Sequence, residues 1–97
     1  MQIDIYYTNI CGLCTQALET LRSKNLSFTA HAVEWNHSEG RFVRTPTVEE
    51  LYRRCNQEVD FVPHIFINTT HIAGWKELEP LVTSGAFDKM IAAMHTL

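Results

Sequence analysis

Apolar and polar residues alternate from Gln2 to Tyr7. Ile3 and Ile5 fall on one side and β-favouring tyrosines close the run, which predicts a strand. The period then changes. From Leu13 to about Leu26 the apolar positions Leu13, Ala17, Leu18 and Leu21 recur at helical spacing and predict an amphipathic helix. Leu26 to Val33 is rich in small and β-compatible residues and reads as a second strand. Glu34 to Pro46 shows no period and holds Asn, Ser, Gly and Pro, so it reads as a long loop. Thr47 to Cys55 reads as a helix, with Thr47 as its cap and Glu50 completing a capping box. Val48, Leu51, Tyr52 and Cys55 form its apolar face. Phe61 to Asn68 predicts a strand with Pro63 near its start. Asn68 to Thr70 is a turn signal, His71 to Ala73 is the returning strand, and Gly74 ends it. Trp75 to Gly85 is helical in pattern, with Leu78, Leu81 and Val82 on one face. Pro80 falls inside it, so either the first turn is distorted or the helix begins nearer Glu79. Ala86 to Leu97 is a final helix burying Phe87, Met90, Ile91 and Met94.

The predicted order is β-α-β-α-β-β-α-α. A right-handed βαβ unit places two strands parallel, and the terminal hairpin adds two more. The result is an α/β fold of the thioredoxin-like layout, a four-stranded mixed sheet with helices on both faces. With 97 residues, residues 1–97 are expected to form a single domain with one core. A net charge of −3 offers no basic stripe and argues against nucleic-acid binding. No apolar run approaches the ~18 residues of a membrane span. The opening MQIDIYY lacks the features of a signal peptide, so the expected compartment is cytoplasmic.

That compartment changes how the three cysteines read. Reducing cytosol does not keep structural disulfides, so the pair Cys11 and Cys14 is a metal half-site, a redox pair, or two small buried residues. A zinc site needs two more ligands; the histidines at 31, 37, 64, 71 and 95 are scattered and Cys55 is alone. No metal site is expected, and Cys55 reads as core. The junction favours redox chemistry. Cys11 sits at the mouth of the first helix, where unpaired N–H groups and the helix dipole favour a thiolate. Cys14 lies one turn inside. Gly12 supplies a flexible link. Cys11 is then the attacking sulfur and Cys14 the resolving one in thiol–disulfide exchange.

Three segments resemble the glutaredoxins over nearly the whole chain. CGLC (Cys11 to Cys14) looks like the dithiol active site. FVPHIFI (Phe61 to Ile67) looks like the family's Thr-Val-Pro segment running into a buried strand. HIAGWKEL (His71 to Leu78) looks like its Ile-Gly-Gly-x-Asp-Asp-Leu segment, and LVTSGAFDKMI is similar to the last two helices. The resemblance implies a glutathione-dependent thiol–disulfide oxidoreductase that reduces protein disulfides or glutathione mixed disulfides. Glutathione is its co-substrate and no tightly bound cofactor is expected. Its partners are glutathione and disulfide-containing proteins, ribonucleotide reductase being the natural client, and it is expected to be a monomer. The resemblance also makes Pro63 cis, with the Val62 backbone turned toward the site to pair with an extended ligand. It implies a glutathione site of Leu13, Val62, Pro63, Gly74, Trp75 and Lys76, with the Trp75 and Lys76 N–H groups receiving a carboxylate.

The chain departs from the family at several points. Thr8 stands where a basic residue is frequent, Gly12 where dithiol members have Pro, Phe61 where they have Thr, and Ala73 where they have Gly. Lys76 replaces the acid that faces the ammonium of glutathione's γ-glutamyl part, with Glu77 following. Arg53 and Arg54 are either carboxylate partners or a solvated helix face. The 35–46 segment, with Arg41, Phe42 and Arg44, is either a docking loop or an inert insertion. Two other functions remain open. One is a thioredoxin-like donor recharged by a flavoprotein reductase. The other is a protein binding an iron–sulfur cluster through the first cysteine and glutathione.

Overall fold

The computed structural model describes residues 1–95; positions 96 and 97, the end of the predicted last helix, lie outside the described residues. The elements are β1 (Ile3–Tyr7), α1 (Gly12–Ser23), β2 (Thr29–Ala32), β3 (Trp35–Asn36), β4 (Arg41–Phe42), α2 (Pro46–Cys55), β5 (His64–Ile67), β6 (Thr70–Ala73), α3 (Gly74–Ser84) and α4 (Ala86–His95). The main sheet is mixed and four-stranded, in the order β2-β1-β5-β6. β1 and β2 are parallel, as the βαβ reading requires, and β5 runs antiparallel to both β1 and β6. Among the described residues no helix is long and apolar enough to cross a membrane.

The strand period decides what each face of the sheet carries. Ile3, Ile5, Ile65, Ile67 and Ile72 cluster with Ala17, Leu21, Leu78 and Phe87 from α1, α3 and α4. The alternate positions Tyr6 and Phe66 cluster with Val48, Leu51 and Tyr52 of α2. Helices therefore cover both faces, but the α2 face is partly polar. Asp4 is nearly buried there; His31 lies 2.9 Å from one of its oxygens and Arg54 donates to the other at 3.1 Å. Arg54 also donates to the Asn68 carbonyl and lies over the Phe66 ring at 4.0 Å. It is thus held inside an ion and aromatic network rather than on a solvated face. Arg53 alone of the pair is exposed.

Four readings change. The 35–46 segment is not a plain loop: β3 and β4 pair as a short hairpin. The Asn36 side chain accepts from the Ser38 and Glu39 N–H groups to shape its turn, and Trp35 packs edge-on against buried Phe42. Arg41 and Arg44 are engaged with Glu58 and Glu49 at the surface. α2 is capped by Thr45, whose hydroxyl accepts from Val48 N–H, and not by Thr47. Pro46 then occupies the first helical position, where its missing N–H is no loss. Glu50, freed from the capping role, accepts from the Tyr6 hydroxyl. α3 starts at Gly74 and runs through Pro80 without a break. Pro80 and Lys76 are both exposed, so the carbonyl that loses its helical donor faces solvent. Finally, Cys55 is only half-buried, packed against the edge of the α2-side core, and stands against His64 and His71.

Asp4 yields a pH prediction. Burial pushes its carboxyl up, but hydrogen bonds from His31 and Arg54 outweigh this and leave it below the ordinary value. A carboxylate depressed on folding stabilises the protein above its unfolded pKa of ~4 and loses that contribution as pH falls through the folded value. Asp4→Asn is expected to cost about 1–3 kcal/mol at pH 7. Urea midpoints measured at pH 7 and pH 3 should show the gap between wild type and variant shrinking in acid. An equal gap at both pH values would refute the assignment.

Candidate active site

The chain leaves β1 at Tyr7 and enters α1 at Gly12. Cys11 is the helix N-cap, in extended conformation with φ −109° and ψ 115°. Its sulfur does what a cap oxygen does: the Cys14 N–H donates to Cys11 Sγ at 3.2 Å. The Thr15 N–H and hydroxyl both donate to the Cys11 carbonyl. Sγ of Cys11 also lies 3.9 Å from the Val62 carbonyl, which can accept from its S–H. Gly12 has no neighbour within 4 Å of where a Cβ would stand, so packing does not require glycine there.

The two thiols are free and unequal. Cys11 is partly exposed, whereas Cys14 is 1% exposed. Burial pushes the Cys14 thiol up to about 12, the nearby Cys11 sulfur adds to this, and hydrogen bonds with Thr8 act against it. Cys14 is therefore protonated at neutral pH. Thr8, where a basic residue was the family expectation, is buried against this thiol and contributes no charge. Exposed Ile10, Leu13 and Phe61 surround the mouth of the site with apolar surface.

The other wall comes from the distant end of the chain. The Val62–Pro63 bond is cis. The Pro63 carbonyl accepts from the Gly74 N–H at 2.8 Å, extending the β5–β6 pairing by one rung beyond His64 and Ala73. Gly74 has φ +80°, which a residue with a side chain adopts only under strain, and a Cβ there would stand 3.4 Å from the Phe61 ring. This conformation turns the strand directly into α3. Glu77 Oε1 accepts from the Ala73 N–H at 3.0 Å and so caps the helix start.

Of the six residues expected to hold glutathione, Leu13, Val62, Gly74, Trp75 and Lys76 line a single groove of about 520 Å³. Pro63 lies buried beneath it. Phe61, Ala73 and Glu77 complete the lining and are not among the six expected residues, although all three lie within the FVPHIFI and HIAGWKEL segments. Cys11 opens into an adjoining recess of about 230 Å³ that shares Phe61 and Val62 with the groove and adds Thr8, Ile10, Trp35, Phe42 and Asp60. The arrangement joins an accessible thiol to a mostly apolar groove that contains a helix start and both signs of charge.

No protein-family model matches the chain. Similarity to individual proteins spans nearly all of it. The chain is 29% identical over 89 residues to Glutaredoxin 3 of Escherichia coli K12, covering 92% of this chain and 95% of that protein. The solution structure of a glutaredoxin from Brucella melitensis matches with a TM-score of 0.66 at 25% identity, over 93% of this chain and 87% of that one. Buckwheat glutaredoxin, solved as its glutathione complex, matches in fold with a TM-score of 0.64 at 15% identity, over 94% of this chain and 76% of its own.

The inequality of the thiols predicts their labelling order. Iodoacetamide at pH 8 should modify Cys11 in the reduced protein and leave Cys14 unmodified until denaturant is added, as read by peptide mass spectrometry. Equal labelling of both in the folded protein would contradict the geometry.

Proposed function

We propose, from its similarity to glutaredoxins over nearly the whole chain, that the protein is a glutaredoxin-type thiol–disulfide oxidoreductase, acting as a monomeric, single-domain, glutathione-dependent reductase of disulfides. In this reading Cys11 is the nucleophile. Its thiolate attacks the glutathione sulfur of a mixed disulfide, the Cys11–glutathione bond forms, and the client departs as a thiolate that takes a proton from solvent. A second glutathione thiolate attacks the glutathione sulfur now bound to Cys11. Oxidised glutathione leaves and the Cys11 thiolate returns. For a client with an internal disulfide, the mixed disulfide is instead resolved by Cys14, which transfers its proton to the departing client thiolate. The Cys11–Cys14 disulfide that results is reduced by two glutathione molecules.

The observation that carries this reading is the groove beside Cys11. Val62 offers it backbone groups for an extended tripeptide. Trp75 and Lys76 belong to the first turn of α3, which has no intrahelical acceptors for their N–H groups, so a carboxylate of glutathione is well received there. A glutathione ligand in the buckwheat homologue supports the same use of the fold. Lys76 alters the detail. Its ammonium lies along the groove with Glu77, whose carboxylate is already committed in part to the Ala73 N–H. We read Lys76 as weakening the grip on the γ-glutamyl ammonium while leaving the carboxylate contacts intact. The exposed apolar rim around Cys11 suits protein clients, ribonucleotide reductase among them, in a cytoplasmic setting.

A glutathione-coupled assay on a glutathionylated peptide tests the mechanism. Cys11→Ser should reduce turnover to background, and Cys14→Ser should retain the reaction with the mixed disulfide while losing that with an internal disulfide. An intact rate in Cys11→Ser, or turnover with a flavoprotein reductase but none with glutathione, would sink the reading. Lys76→Glu tests the groove: it should lower the KM for glutathione about threefold, in line with an exposed charge pair of ~0.5–1 kcal/mol, and leave kcat nearly unchanged. An unaltered KM would remove Lys76 from the site.

A further inference from the structure

The α2 face of the sheet gathers three side chains that the active site does not use. Cys55 is the last residue of α2. His64 and His71 come from β5 and β6, where His64 pairs with Ala73 and Phe66 with His71, so the two histidines are diagonal neighbours on one face. Cys55 Sγ lies 3.9 Å from His64 Nδ1 and 3.9 Å from His71 Nε2, and those two nitrogens are 2.9 Å apart. The point equidistant from the corners of this triangle is roughly 2.1 Å from each, which is close to ordinary zinc–nitrogen and zinc–sulfur bond lengths.

The surroundings suit a cation as well as the spacing does. His64 is fully buried, and its Nε2 lies 2.8 Å from the Phe61 carbonyl. A carbonyl only accepts, so Nε2 carries the hydrogen and Nδ1 turns its lone pair into the cluster. That is the tautomer and the outer hydrogen bond that a metal-bound histidine uses. In the metal-free chain His71 Nε2–H satisfies this lone pair. Cys55 closes α2, and the negative end of the helix dipole falls at that end. The neighbouring cation, Arg54, is directed to Asp4 and to the Asn68 carbonyl.

We propose that Cys55 Sγ, His64 Nδ1 and His71 Nε2 form a site for a thiophilic cation of the zinc class, with water in the fourth position. Binding releases one proton, from the Cys55 thiol to solvent, while His71 moves its hydrogen to Nδ1 and offers Nε2. His71 is exposed and Cys55 half-buried, so the ion has a route in and the fourth position has access to water. The site joins α2 to the β5–β6 hairpin at a distance from Cys11, and it stands independently of the glutathione reading.

The test uses the full chain carrying Cys11→Ser and Cys14→Ser, which removes competition from the active-site thiols. Zinc titrated against a chromophoric chelator should bind at one ion per chain with a dissociation constant of micromolar or tighter. Adding His71→Ala or Cys55→Ser should weaken binding at least tenfold, with an unchanged far-ultraviolet circular dichroism spectrum. His71 and Cys55 are chosen because neither is fully buried. Cobalt bound to the same double variant should show a thiolate-to-metal charge-transfer band and the visible bands of a tetrahedral ion, which requires no change in the cluster. Failure to bind zinc at micromolar concentration, equal affinity with and without His71, or a cobalt spectrum lacking the thiolate band would each overturn the proposal.

Discussion

The hydrogen bond from the Gly74 N–H to the Pro63 carbonyl is the last rung of the β5–β6 ladder and the first event of α3. One residue serves as strand end and helix start because Gly74 accepts φ +80°. With that rung in place, the first turn of α3 is fixed beside Val62, and Val62 is fixed within reach of Cys11 Sγ. Two segments about fifty residues apart in sequence thereby meet without help from a disulfide. The geometry of the groove follows from backbone placement more than from any one side chain.

The sheet divides its labour between its faces. The core under α1, α3 and α4 is apolar and, through Ala17 and Leu21, anchors the helix that is capped by Cys11 and carries Cys14. The face under α2 mixes aromatic packing with charge: Arg54 pairs with Asp4, His31 lies within hydrogen-bond distance of the same carboxylate, and His71 stacks on Phe66. Buried charge tolerates little displacement, since each group relies on a partner in one geometry. The polar face therefore specifies where α2 sits, while the apolar face supplies most of the nonspecific drive to fold.

Much of this was legible because it is periodic or local. β1, α1, α2 and the β5–β6 hairpin announce themselves by spacing, and the Cys11–Cys14 pair by adjacency. The β3–β4 hairpin was not legible, since strands of two residues have no period and its turn depends on the Asn36 side chain. Two threonines flank Pro46, and only the rule that proline suits the first helical position separates Thr45 from Thr47 as the cap. Pro80 misled because the rule against proline in helices does not know which carbonyl faces water. In the groove, Glu77 is legible as the acid following Lys76, but its contact with the Ala73 N–H is not, because that depends on the helix beginning at Gly74. Cys55, His64 and His71 escaped because their spacing matches no ligand motif; the hairpin register would have placed the two histidines on one face, but nothing local brings α2 over them.

Phe61 stands in the wall of both the groove and the recess at Cys11, with its ring against the Gly74 backbone and over His64. The groove and the recess thus share one partition. A smaller residue here widens both at once, and a larger or more rigid one narrows both. Under the proposed function, selectivity toward a small thiol and selectivity toward a protein surface cannot drift apart through this position. Divergence of one preference from the other has to be sought at residues that border a single recess, such as Trp35 on one side or Trp75 on the other.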